Sequence, residues 1–146
     1  LGGSTSKWGK KCYAVSMENC IFCKIISNKI PSTKIYEDAE MLAFLDIQPV
    51  VKGHILLIPK EHIEWVQDVP DLLLANLFSK SKHLISTLRK SLPCDYVQIL
   101  IVGKDVPHSH IHLIPRYFND TLPGWPTLKY EDGEMDEFAQ KIKNQV

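Results

Sequence analysis

The chain has 146 residues, 45% of them hydrophobic and 23% charged, an average globular composition that fits one domain of ordinary size. Its 17 basic and 17 acidic residues cancel and no run of like charge occurs, which argues against nucleic acid as a partner and leaves small anions. No apolar stretch approaches the roughly 20 residues of a membrane span and nothing resembles the core of a signal peptide, so the expectation is a cytoplasmic protein without a membrane partner.

Residues 1–16, LGGSTSKWGKKCYAVS, are rich in Gly, Ser and Lys and carry neither apolar period. They read as an expression leader outside the fold, Cys12 included, the alternative being a native flexible arm. A single domain is expected over 17–146, with a C-terminal tail from about 119. Asn19 is placed to cap a short helix over CIFCKIIS, where Ile21, Phe22 and Ile25 recur at near-helical spacing and Pro31 brings the stop. KIYED and MLAFLD, split by an acidic turn, predict a hairpin, and HILLIP, entered through Lys52-Gly53, a third strand; together they imply an antiparallel meander. Pro70-Asp71 opens DLLLANLFSKSKHLISTLRKSL, an amphipathic helix of about five turns. Leu73, Leu77, Leu84, Ile85 and Leu88 share one face, Lys80, Lys82 and Lys90 point away, and His83 falls at a boundary or surface position. YVQILIVG and HSHIHLIPRY, joined through KDVP, should pair as strands four and five. The tail, with Pro123, Gly124 and Pro126, is a loop leading to a weak helix in DGEMDEFAQKIKNQ.

Half of the six histidines, His108, His110 and His112, stand at strict two-residue spacing, which a strand turns to one face. Alternate strand residues have Cα atoms about 6.6 Å apart, so one metal could take two adjacent imidazoles but hardly all three. Neutral imidazole is a good nucleophile at physiological pH and leaves readily once phosphorylated or nucleotidylated, which suits two-step transfer at phosphorus. The central histidine could attack while a neighbour holds an anionic oxygen. His54, opening the third strand, either joins them at the same end of the sheet or is a partly buried strand-end histidine.

The ordered segments IFCKII, IPSTKIYED, LAFLDI, KGHILLIPKEH and HSHIHLIPR resemble the histidine triad (HIT) family, whose mark is His-x-His-x-His followed by two apolar residues; the likeness covers residues 20–118. The resemblance implies an α+β fold: a five-stranded antiparallel sheet with one long and one short helix, paired across a two-fold axis into a ten-stranded homodimer. It implies a nucleotide hydrolase or transferase acting at the α-phosphate of adenylates through a covalent nucleotidyl-histidine, nearest to the purine nucleoside phosphoramidases. Dinucleoside polyphosphate hydrolysis, or nucleotide binding without turnover, are the alternatives. Residue by residue, it implies His110 as nucleophile, His112 on a phosphate oxygen and His54 in support of the nucleophile. Ile21, Phe22, Ile25, Phe44 and Ile47 match apolar positions around the purine, Asp46 the acid on the ribose hydroxyls, and Gly103 a glycine of the nucleotide-binding loop.

One stretch departs from the family. Phosphoramidase-branch members carry an Asn-x-Gly turn and a Gly-Gln-Ser or Gly-Gln-Thr stretch before the triad, whereas here Ile101 falls where Asn is expected and the donor stretch shortens to KDV. The leaving-group donor is missing, or comes from Lys104, Ser109 or the backbone. Lys60 and Arg116 read as solvated strand ends, Arg116 standing close enough in sequence to touch phosphate. Trp125 reads as packing in the tail, or as reaching a partner's site in a dimer.

Cys20-x-x-Cys23 reads either as a redox pair or as half of a zinc site. For the latter, the chain offers His62, eight residues past His54, and His108, the triad member that catalysis needs least. Two thiolates and two imidazoles make a closed tetrahedral structural site. Some HIT proteins and the related galactose-1-phosphate uridylyltransferases show this kind of arrangement, so the resemblance supports zinc. Cys94 stands alone, and the cysteines do not make a disulfide framework.

Overall fold

Five strands, β1 (Lys34–Glu37), β2 (Met41–Leu45), β3 (Ile55–Pro59), β4 (Tyr96–Leu100) and β5 (Ile111–Arg116), form one antiparallel sheet in the order β1-β2-β3-β5-β4. The computed structural model describes residues 17–121 and 128–146; the leader with Cys12, and Pro123, Gly124, Trp125 and Pro126, lie outside the described residues. Both faces of the central strands are covered, which is why every residue of β2 and β3 is buried. Met41, Ala43, Leu45, Ile55, Leu57, Ile111 and Leu113 pack in one cluster with the two longer helices, α2 (Asp71–Ser91) and α3 (Glu134–Lys143). Leu42, Phe44, Leu56 and Ile58 point the other way, toward the short α1 (Ile21–Ile26). Leu56 is registered against His112, so this second face is the one that receives the last triad histidine.

The helices depart from expectation in their ends. Asn19 belongs to a 3₁₀ turn, Met17–Asn19, and Cys20 is the cap residue of α1, with no side-chain cap bond. The helix closes at Asn28, in the left-handed region at φ 59°, where the Lys29 and Ile30 N–H groups return to the Lys24 carbonyl. Pro31 follows this stop and does not cause it. In α2, Leu77, Leu84 and Leu88 are buried, Leu73 and Ile85 half-buried, and Lys82, His83 and Lys90 exposed, as the spacing predicts. Lys80 does not point away: its ammonium sits 3.7 Å from the centroid of the Tyr36 ring. The tail helix is a full ten-residue element, with Glu134, Asp136 and Glu137 in its first turn and Lys141 and Lys143 in its last, complementing the helix dipole.

The last two strands are shorter than the apolar runs suggest. β4 ends at Leu100 and β5 begins at Ile111, so ten residues, 101–110, lie outside regular strand. Lys60 pairs with Glu37 at 3.0 Å at the β3 end, close to its expected role.

Gly53 sets the entry into β3. Its φ of +97° is a conformation L side chains rarely adopt, and an added Cβ would lie 2.6 Å from Leu92 Cδ1. Its N–H donates to the Tyr130 hydroxyl at 2.9 Å. Gly53→Ala is therefore expected to destabilise the fold by about 2 kcal/mol or more, combining backbone strain with overpacking. A lowered urea midpoint at unchanged slope is the readout; a midpoint equal to wild type would show that the turn can relax.

Candidate active site and metal centre

Four histidines and one aspartate meet on the α1 face of the sheet. Asp46 follows β2, His54 precedes β3, and His112 is the second residue of β5. His108 and His110 precede β5, so the triad is not carried on one regular strand as its spacing predicts. The segment is held by main-chain bonds instead: His108 N–H to the Val106 carbonyl at 2.8 Å and Ser109 N–H to the Ile63 carbonyl at 2.6 Å. The rings still form a row, with His110 and His112 centroids 4.8 Å apart and His54 and His112 centroids 5.1 Å apart. Ser109 takes the opposite face. Its hydroxyl is buried without a partner beside a small apolar cavity lined by Leu57, Val69 and Leu77, so it does not supply the expected leaving-group donor.

The hydrogen bonds assign a tautomer to each of these four rings. The Val50 N–H donates to His54 Nδ1 at 3.2 Å, which puts the His54 proton on Nε2, donating to His112 Nδ1 at 2.9 Å. His112 accordingly carries its own proton on Nε2. His110 Nδ1–H donates to the His108 carbonyl at 2.6 Å, so the lone pair of His110 is on Nε2. His108 Nε2–H donates to the Pro59 carbonyl at 2.7 Å, leaving Nδ1 as its basic nitrogen.

Burial keeps these imidazoles neutral. It pushes His54 down to about 3, helped by the charges that His112 and His110 would carry, and His112 down to about 4. His108 is likewise lowered to about 4, by burial against a partial offset from the Pro59 carbonyl. His110 is lowered by burial, while the His108 carbonyl and the Asp105 charge act in the opposite sense. Burial raises Asp46, and its carboxylate, 3.8 Å from His54 Nδ1, faces a neutral ring, so the contact is not an ion pair.

The positions implied for the purine divide in two. Phe22, Ile25 and Phe44 are buried in one cluster, the Phe22 ring standing edge-on to Phe44 at 5.5 Å and to His110 at 5.1 Å. Ile21 and Ile47 are exposed, Ile47 at 70%. Gly103, at φ +74°, lies in the loop before the triad against the Trp65 ring. Arg116 is neither solvated nor turned to a phosphate: its guanidinium binds Asp120 through two nitrogens and Gln98 through a third. The sequence reading missed Val50, Pro59 and Trp65, and the first two act through backbone atoms that no side-chain pattern announces.

Cys20, Cys23, His62 and His108 come together as expected. Cys23 Sγ lies 3.2 Å from His62 Nδ1, both sulfurs lie 3.6 Å from His108 Nδ1, and all four ligand atoms fall within 4.8 Å of one another. Tetrahedral zinc, with bonds of roughly 2.0 Å to nitrogen and 2.3 Å to sulfur, separates its ligands by about 3.5 Å, so the set fits. Burial, and Cys20 beside it, push the Cys23 thiol up to about 12, so a compensating cation is what would ionise it. Asp46, His54 and His112 also cluster, but the His54 nitrogens are committed to Val50 and His112.

The chain is similar in sequence and fold to known proteins. Residues 27–119 match the HIT domain family. The HIT-like protein MJ0866 of Methanocaldococcus jannaschii is 44% identical over 130 residues, 85% of this chain and 98% of that protein. The adenosine 5'-monophosphoramidase HNT1 of Saccharomyces cerevisiae is 40% identical over 130 residues, 84% of this chain and 80% of the yeast protein. Among solved structures, a zinc-bound histidine triad family protein from Mycobacterium smegmatis superposes with a TM-score of 0.78 at 30% identity, covering 88% of this chain and 93% of that one.

The depressed imidazoles couple stability to pH. With folded values of about 3 and about 4 below an ordinary 6.5, the unfolded chain binds more protons between these limits. Stability is therefore full above pH 6.5 and is lost as pH falls. Between pH 7 and pH 5 each of His54 and His112 should cost about 2 kcal/mol. Urea unfolding at both values, on wild type and His54→Asn, checks this: the variant should lose part of the dependence, and an equal dependence would rule out His54 as its source.

Proposed function

The chain belongs to the HIT-domain family, and we propose that it is a nucleotide hydrolase or transferase acting at the α-phosphorus of adenylates, most specifically a purine nucleoside phosphoramidase. The observation that carries this reading is the orientation of His110, whose Nδ1–H is tied to the His108 carbonyl and whose Nε2 lone pair is the nucleophile. Attack by Nε2 forms a nitrogen–phosphorus bond and breaks the bond to the leaving group. The positive charge that develops on the ring is met by the His108 carbonyl. Water then displaces His110 and releases AMP. His112, protonated on Nε2, donates to a phosphate oxygen as negative charge builds there, and His54 holds that tautomer through its bond to Val50. Phe22, Ile25 and Phe44, with Ile21 and Ile47 at the open edge, take the purine; Asp46 takes the ribose hydroxyls, and Gly103 lets the backbone approach the phosphate. The yeast relative named as a monophosphoramidase favours this over dinucleoside polyphosphate hydrolysis.

Zinc at Cys20, Cys23, His62 and His108 supplies no step of the reaction; it has a structural role. Through His108 these residues tie α1 to the segment whose carbonyl orients His110. A homodimer with a ten-stranded sheet is part of the same reading, since β4 is an edge strand that exposes Tyr96 and Ile99, with Phe118 stacked on Tyr96. A cytoplasmic setting is too; among the described residues no helix is long and apolar enough to cross a membrane.

His110→Ala should lower AMP release from an adenosine phosphoramidate by roughly a thousandfold or more while AMP still binds. Retained turnover would remove His110 as nucleophile, and silence of the wild type itself, with AMP bound, would favour a nucleotide-binding protein without turnover. Metal analysis of the purified protein should find zinc, with Cys20→Ser and His62→Ala each lowering it; unchanged zinc in both variants would sink the proposed site.

A further inference from the structure

The connection from β2 to β3, residues 46–54, holds Asp46, Val50 and His54, and with them one end of the site. Two bonds within it fix the main chain of His54: Asp46 N–H donates to the His54 carbonyl and His54 N–H to the Val51 carbonyl, each at 3.0 Å. Neither sets the separation that decides the ring's tautomer, the 3.2 Å between Val50 N and His54 Nδ1. That bond depends on where the residues flanking its partners lie, Pro49 before Val50 and Gly53 before His54.

Both flanking residues are held by one remote segment, 128–134, which leads into α3. Leu128 N–H donates to the Pro49 carbonyl at 2.8 Å, and Gly53 N–H donates to the Tyr130 hydroxyl at 2.9 Å. Lys52 Nζ meets Glu134 Oε1 at 2.7 Å, and the other oxygen of that carboxylate accepts the Glu131 N–H at 2.8 Å. The segment is itself anchored, since the Tyr130 ring stands edge-on to Phe138 at 5.9 Å and α3 buries Ala139 and Ile142 in the core. Gly53 is buried as well, so the hydroxyl of Tyr130 satisfies a main-chain donor that cannot be left unpaired without cost.

We propose that segment 128–134 is a strap that sets the His54 ring, and that Tyr130 is a positioning residue for transfer at phosphorus, acting through Gly53, His54 and His112. The inference rests on the reading in which His112 Nε2–H donates to a phosphate oxygen. With the strap in place the Val50 N–H reaches His54 Nδ1, the His54 proton stays on Nε2, and His112 Nδ1 is kept as an acceptor. Without the Tyr130 hydroxyl the Gly53 N–H must turn to another partner, and the His54 ring moves off Val50. A ring released from Val50 can carry its proton on Nδ1, where the Asp46 carboxylate stands 3.8 Å away. His112 then donates back to His54 from Nδ1 and has no proton left on Nε2 for the phosphate.

The ring nitrogens of 15N-labelled histidine report the tautomer directly, because protonated and bare nitrogens resonate far apart. The full chain is measured as wild type, Tyr130→Phe and Ile85→Ala, alongside kcat and KM on an adenosine phosphoramidate. Tyr130→Phe keeps the ring and loses the hydroxyl; Ile85→Ala, at a half-buried position of α2 outside the strap, reports what loss of stability alone does. Wild type should show His54 protonated on Nε2. In Tyr130→Phe the His54 and His112 signals should move toward the Nδ1-protonated form while His108 keeps its own. kcat should fall roughly tenfold with KM little changed, less than the hundredfold or more expected from losing an oxyanion donor outright. Should Tyr130→Phe fail to fold, Glu134→Ala removes the Lys52 anchor instead and should move the same signals the same way. An unchanged ring pattern overturns the inference, as does a pattern moved equally far in Ile85→Ala, or one moved in Tyr130→Phe at wild-type kcat; the phosphoramidase reading stands in each case. A wild type that binds AMP without turnover removes that reading, and the role of Tyr130 in transfer falls with it.

Discussion

His108 is gripped at three points, and the orientation of the His110 ring depends on that grip. Its Nε2–H is bonded to Pro59 on β3, its Nδ1 faces the thiols of Cys20 and Cys23, and its carbonyl accepts from His110 Nδ1. A ring so held cannot rotate without losing a buried hydrogen bond, and its backbone cannot shift without releasing the proton that defines the His110 tautomer. The irregular segment before β5 is thereby made as definite as a strand. Strand geometry alone would place the three side chains on one face; the carbonyl of the first decides which nitrogen of the second carries the lone pair.

The same economy runs through the other end of the site. Val50, His54 and His112 form a chain in which one backbone N–H sets the protonation of two rings in succession. Burial keeps both neutral, so each ring donates with one nitrogen and accepts with the other, and the cluster avoids stacking like charges in a low-dielectric site. Fully charged imidazoles would repel one another and would also lose the lone pairs that accept hydrogen bonds. The source of this desolvation is the packing of Phe22, Leu42, Phe44, Leu56 and Ile58 that closes the α1 face.

Much of this was legible because it is written in side chains with strong periodicity. The continuous apolar runs of β2 and β3, the stripe Leu77, Leu84, Leu88 of α2, and the convergence of Cys20, Cys23, His62 and His108 all follow from spacing and chemistry together with the family resemblance. What escaped was decided by backbone atoms or by partners distant in sequence. The carbonyl of Pro59 and the N–H of Val50 leave no mark on composition, so the tautomers could not be read. Arg116 looked free because Gln98 becomes its neighbour only once β4 and β5 pair, and because the turn that brings Asp120 back onto it lies past the end of the apolar run. Ser109 was a plausible donor by sequence, yet alternation within the segment that holds His108 and His110 on one side forces it to the other. The end of α1 was misread for a local reason: an Asn in the left-handed region ends a helix as a Gly does, without the sequence signal.

The family pattern is kept where the fold demands it and departs where the fold is indifferent. His54, His108, His110 and His112 are bound into the sheet, the second apolar cluster or the metal-ligand group, so altering any of them disturbs packing as well as chemistry. Loop 101–107 is different, because Gly103 and Val106 pin its ends while Lys104 and Asp105 between them are exposed and form no ion pair with other described residues. Exposed positions on an anchored loop can change charge at little cost to stability, typically within about 0.5 kcal/mol. Their effect falls on whatever passes close by. The buried imidazoles with backbone partners are thus fixed by the fold, whereas the two solvent-facing charges of this loop are set independently of it.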